Sequence, residues 1–272
     1  MTVAVYLHGV GGPPEHWAES IAGSPNFDGV VTREIVYNDL VGLSGGFGEA
    51  DETPPELLTH EHAPWGSRAS YAKRQGELRR LVNADPTTVA KPKRRIPAFL
   101  PGDALVRLPA LNMRDAGHYR YNSEVRAAVL ERVGNELDDL KSEFGDRDVV
   151  LLAHSFGSVI ALDLLHSTPV DLSMLVTFGS PLGVGDYWSP HWQGEGKFPY
   201  GRLGGWMNMI NLRDPISWQR GVSGRFPQAV DAYVRIGDKV GGIGGYHDPG
   251  TYLSSELFGQ VLKAVDKLNA IR

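Results

Sequence analysis

A chain of 272 residues, 42% of them hydrophobic and none of them cysteine, is long enough to bury a substantial core, and it excludes disulfides and thiolate metal sites. Its formal net charge of −5 provides no basic footprint for nucleic acid or an anionic membrane surface. No apolar run approaches the length of a membrane span and Met1–Leu7 carries no basic leader, so the chain reads as a single cytoplasmic domain, 1–272.

Val3–Leu7 is a β-branched run that enters the turn His8-Gly9-Val10-Gly11-Gly12-Pro13-Pro14, with a helix expected at 15–21. Val30–Tyr37 reads as a second strand. From residue 40 to about 118, Gly, Pro and charge dominate, apart from one helix over 67–82. A long irregular stretch inside a compact domain reads as a cap insertion. Helical spacing returns at Val125, Val129, Val133, Leu137 and Leu140 and leads into the strand at Val149. Leu172–Phe178, Met207–Leu212 and Val230–Ile236 read as further strands, and 183–206, rich in Gly, Trp and Tyr, as a mobile loop. Leu253, Leu257, Val261, Val265 and Leu268 mark a closing helix. Strands alternating with helices predict an α/β fold, with a mainly parallel sheet covered on both faces.

The most informative segment is Val149–Ala161, where an apolar strand runs into an apolar helix with Ser155 at the turn. Packing a strand against the helix that follows it demands very small residues two before and two after the serine, here Ala153 and Gly157. Such a turn lifts the hydroxyl to the carboxyl edge of the sheet, where the first amides of the helix favour an anion.

Ligands of an open parallel sheet bind beyond the carboxyl ends of its strands. His8-Gly9, Ser155, Asp214 and His247 each follow a strand there. This arrangement resembles the α/β-hydrolase family over nearly the whole chain. The order Ser155, Asp214, His247 matches the family's triad, and His8-Gly9-Val10-Gly11-Gly12 is similar to its oxyanion loop. Asn211-Leu212-Arg213-Asp214-Pro215 and Gly179-Ser180-Pro181-Leu182 resemble loops of the lipase and esterase branches. The resemblance implies Ser155 as nucleophile, His247 as base, Asp214 as its orienting acid, and the backbone amides of Val10 and Phe156 as oxyanion donors. Ala153 stands where the family more often has glycine, and the cap precedes the elbow strand where relatives often carry it later.

Other residues compete for these roles. Asp238 and Asp248 also lie near the ends of strands or loops, and Ser158 and Ser180 are the next candidate nucleophiles. His8 reads as a support of the oxyanion loop, and His154 as packing under the elbow. His60, Glu61 and His62 lie in a polar loop with no helix to align them as metal ligands, so no metal is assigned. Lys91, Lys93, Arg94 and Arg95 read as a solvated connector.

The expectation is a cofactor-independent serine hydrolase that cleaves an ester or thioester of a hydrophobic or acyl small molecule through an acyl-enzyme. Trp188, Trp192 and Tyr200, with Phe198 and Trp206, are expected to wall an apolar pocket. The same triad would also serve an acyltransferase or cyclase, and a hydrolase-fold binding module is a third reading.

Overall fold

Strands built almost wholly from apolar residues are stable only where both faces are covered. The computed structural model describes residues 2–11, 24–41, 64–83, 114–145, 148–184, 198–234 and 242–271. Within them lie β1 (Thr2–Leu7), β2 (Val31–Ile35), β3 (Asp148–His154), β4 (Met174–Phe178), β5 (Trp206–Ile210) and β6 (Val230–Tyr233). They form one six-stranded sheet in the order β2-β1-β3-β4-β5-β6, and all five pairings are parallel. The helices are α1 (Asn38–Val41), α2 (Arg68–Leu81), α3 (Arg114–Tyr121), α4 (Ser123–Phe144), α5 (Gly157–Ser167), α6 (Gly242–His247), α7 (Pro249–Leu253) and α8 (Glu256–Asn269). None of these is long and apolar enough to cross a membrane.

Alternation along each strand feeds two cores. Val3, Val5 and Leu7 of β1 join α4 and α5 on one face, while Ala4 and Tyr6 join α8 on the other. The repeat Val129, Val133, Leu137 and Leu140 is buried as the spacing requires. The Asn122 side chain caps α4 by accepting the Glu124 and Val125 amides, each at 3.0 Å.

Three elements differ from expectation. The closing helix is two helices, because Ser255 Oγ accepts the Phe258 amide at 3.2 Å and starts α8 afresh. Inside the stretch read as a cap, α2 is a layer helix, and its Leu78 joins the core that α8 covers. Buried Arg74 fastens it by donating to Gly204 O at 2.7 Å, Trp65 O at 2.9 Å and Ile271 O at 3.4 Å. The described ends of the 183–206 loop are also packed, with Phe198, Leu203 and Trp206 buried. The helix expected at 15–21 lies outside the described residues.

The chain leaves β1 for β2 on one side and returns to β3 on the other, so the strand order reverses between β1 and β3. A crevice opens beyond the carboxyl ends of strands at such a reversal, and here it falls between the turns that begin at His8 and Ser155. The two turns touch. A Cβ on Gly157 would lie 2.5 Å from Leu7 O and 2.6 Å from His8 O, backbone atoms of β1 and its turn that cannot swing aside. Gly157→Ala is therefore expected to cost about 1–3 kcal/mol by overpacking, lowering Tm by several degrees in a thermal melt. An unchanged Tm would contradict this packing.

Candidate active site

Ser155 has a φ of 52°. For an L-residue, left-handed backbone costs roughly 1–2 kcal/mol, and glycine would avoid most of that strain. The turn is held by specific bonds. Ser155 N–H donates to Phe178 O at 3.0 Å, and Ser158 Oγ donates to Ser155 O at 2.6 Å. Ser158 also pairs with Ser180 Oγ at 2.8 Å, so both alternative serines are buried struts of the elbow. Gly9 admits the Ser155 side chain, since a Cβ there would lie 2.7 Å from Ser155 Cβ and 3.2 Å from Oγ.

The turn that follows β1 is pinned from behind. His8 Nδ1 donates to Gly9 O at 2.6 Å, and its Nε2 accepts the Tyr37 amide at 3.3 Å. The two rings stack with centroids 4.1 Å apart, and the Tyr37 hydroxyl donates to His8 O at 2.8 Å and Gly9 O at 3.2 Å. Beyond Val10, the Gly11 amide donates to Asp115 Oδ2 at 3.1 Å. Phe156 is the N-cap residue of α5, with its ring buried edge-on to Tyr119 at 5.4 Å. Val10 and Phe156 thus stand in the two turns that flank the crevice.

Two strands further along, Asp214 and His247 meet. His247 Nδ1 donates to Asp214 Oδ2 at 2.9 Å. Asp214 is 1% exposed, and its Oδ1 accepts the Ile216 amide at 2.7 Å. Gly179, with φ +57°, makes room for the pair, because a Cβ there would fall 2.9 Å from two His247 ring atoms and 3.0 Å from Asp214 Oδ2. The histidine segment is tied to the acid loop, since Asn211 Nδ2 donates to Tyr246 O at 2.8 Å and Arg213 Nη1 to Tyr246 Oη at 2.9 Å.

His154 joins this pair to the elbow. Its Nε2 donates to His247 O at 2.8 Å, and the two imidazole centroids are 4.5 Å apart. His247 therefore lies against the residue that precedes Ser155. Among the described residues no hydrogen bond joins Ser155 Oγ to the His247 ring. Nucleophile–base contacts are often long in free enzymes and tighten with substrate.

Burial holds His154 well below the usual imidazole range, and nearby His247 adds to the effect. Burial also lowers His8, against the Gly9 bond and the Asp115 charge, which act to raise it. An unfolded histidine takes up a proton near pH 6.5, so below that value the unfolded chain binds protons that these native sites refuse. Stability is therefore expected to be full above about pH 6.5 and to fall as pH drops through the native values. Thermal melts from about pH 7.5 to 5.5 check this, with a shallower decline expected in His154→Gln. Identical profiles for the two proteins would contradict it.

Tyr200 lies elsewhere. Its ring packs on Tyr71 and Phe198 at 5.4 and 4.9 Å, and its hydroxyl accepts from Gln228 Nε2 at 3.2 Å. With Arg68, Tyr71 and Gln228 it lines a cavity of about 240 Å³ near the amino-terminal ends of β5 and β6. Residues that precede a parallel strand must lie at the edge opposite its carboxyl end, which also explains why Phe198 and Trp206 pack there. Trp188, Trp192 and Asp238 lie outside the described residues, as do His60, Glu61, His62 and the basic run Lys91, Lys93, Arg94 and Arg95. Among the described residues no three His, Asp or Glu side chains gather as a metal site.

Sequence reasoning missed one member of the site. The Tyr252 hydroxyl donates to Asp214 Oδ2 at 2.5 Å, although in sequence Tyr252, just before Leu253, carries no sign of a role. No family model and no curated protein matches this chain.

Proposed function

We propose that the chain is a serine hydrolase of α/β-hydrolase architecture that cleaves a carboxylic ester or thioester. The observation that carries this reading is Ser155, a non-glycine residue held at φ 52° on the sheet edge that also bears a buried aspartate bonded to a half-buried histidine. Strain retained at a turn where glycine would relieve it is a mark of function. An aspartate on Nδ1 leaves Nε2 of His247 as the base.

In the proposed reaction His247 Nε2 takes the Ser155 proton as Oγ bonds to the carbonyl carbon. The carbonyl oxygen becomes an oxyanion that the Val10 and Phe156 amides stabilise, each donor contributing about 3 kcal/mol. Collapse breaks the bond to the alcohol or thiol, which leaves with the proton from His247. Water then repeats the sequence on the acyl-enzyme, releasing the acid and restoring Ser155. Asp214 holds the tautomer and stabilises the imidazolium throughout.

The test is rapid mixing of the purified protein with p-nitrophenyl esters and an acyl thioester. The reading expects turnover of these substrates, with a p-nitrophenol burst equal to the enzyme concentration where deacylation is slow. Absence of turnover on every ester and thioester would overturn it.

A further inference from the structure

Asp214 Oδ2 receives two donors, His247 Nδ1 at 2.9 Å and the Tyr252 hydroxyl at 2.5 Å. We propose that Tyr252 is a positioning residue of the catalytic pair, fixing the carboxylate plane and dividing the charge of that one oxygen between the phenol and the imidazole. The inference rests on the serine-hydrolase reading and adds a residue that tunes its base.

Several observations make the phenol a permanent donor. Tyr252 is fully buried, and its ring packs on Phe178 with centroids 5.5 Å apart, so its orientation is set by the core. Its single proton goes to Asp214, whose Oδ2 lies 2.5 Å from the phenol oxygen. Burial, and then the Asp214 charge, hold it far above the ordinary tyrosine range, so it stays protonated wherever His247 works. A hydroxyl at 2.5 Å from a carboxylate is at the short, strong end for a charge-assisted bond. Ile216 N–H occupies the other carboxylate oxygen, so three donors together hold Asp214 rigidly.

The consequence is a smaller field at the imidazole than a free carboxylate would exert. The other groups around His247 remain the same when the phenol is removed. They are His154 from the end of β3, with His8 behind it, Ser155 at the elbow, Asp248 and Tyr246 along its own chain, and Arg213 stacked on the Tyr246 ring at 5.4 Å. Without the phenol, the whole charge of Oδ2 faces His247. The imidazolium then persists to higher pH, and the carboxylate loses one of its three anchors.

The test is the rate of fluorophosphonate labelling against pH, in wild type and Tyr252→Phe, which keeps the ring. The acid limb is expected to move up by about half a unit to one unit, with the plateau rate falling roughly tenfold. A structural role alone would lower the plateau without moving the limb, and an unmoved or lowered limb overturns the inference while labelling by wild type leaves the hydrolase reading standing. A wild type that does not label at all overturns both. If Tyr252→Phe does not fold, wild type grown with 3-fluorotyrosine, a stronger donor, replaces it. Its acid limb is then expected to move down, and an unmoved or raised limb overturns the inference.

Discussion

Ser155→Ala is expected to remove ester turnover, a loss on the order of 10⁶-fold, while the melting temperature stays nearly unchanged. Alanine at φ 52° keeps the same left-handed strain as serine, because the cost arises at Cβ rather than at Oγ. The bonds that hold the turn use the Ser155 amide and carbonyl, to Phe178 and Ser158, and not its hydroxyl. Function and stability should therefore separate cleanly at this residue. A parallel loss of both, or retained turnover, would remove Ser155 from the role of nucleophile. Ser158 and Ser180 could not simply take over, since their hydroxyls are buried against each other at 2.8 Å.

Asp214→Asn is expected to lower turnover about 10⁴-fold. Asparagine fits the same space, but its amide faces two donors, His247 Nδ1–H and the Tyr252 hydroxyl, where the carboxylate oxygen accepted both. If its nitrogen is turned to the ring, His247 must accept at Nδ1 and carry its proton on Nε2, which disables the base. If its oxygen is turned to the ring, the tautomer survives but the charge that stabilises the imidazolium is gone. The variant should fold with its amide nitrogen toward the ring, because its oxygen then still accepts the Ile216 amide, and the loss should appear in kcat. Steady-state kinetics on an activated ester measures it, and a loss below about tenfold would point to another acid.

The parts of this fold that were legible in sequence were those whose local pattern and tertiary role agree. β3 and α5 read correctly because a strand buried on both faces and a helix buried on nearly every position leave an unbroken apolar run, interrupted only where Ser155 turns. Asp214 and His247 were legible because a parallel sheet presents its functional residues after its strands, and their mutual contact at 2.9 Å follows from that placement. Tyr252 was not, since a tyrosine beside Leu253 carries no sign that its hydroxyl reaches an aspartate on another loop. Tyr200 misled for a related reason. Aromatic content alone does not say at which edge of a sheet a loop lies, and the start of β5 draws Phe198, Tyr200 and Trp206 to the amino-terminal edge. The polar composition of α2 concealed its place in the core, because Arg74 and Gln75 are buried there through bonds to backbone carbonyls.

The central claim is that one serine at the β3–α5 turn is chemically activated by its surroundings. Its most direct measurement is reaction of the native protein with a fluorophosphonate, followed by digestion and fragmentation mass spectrometry to locate the adduct. The account predicts a single phosphonylated site, Ser155, formed by the folded protein and lost on denaturation before labelling. An adduct on any other residue, or no adduct on the native protein, would contradict it.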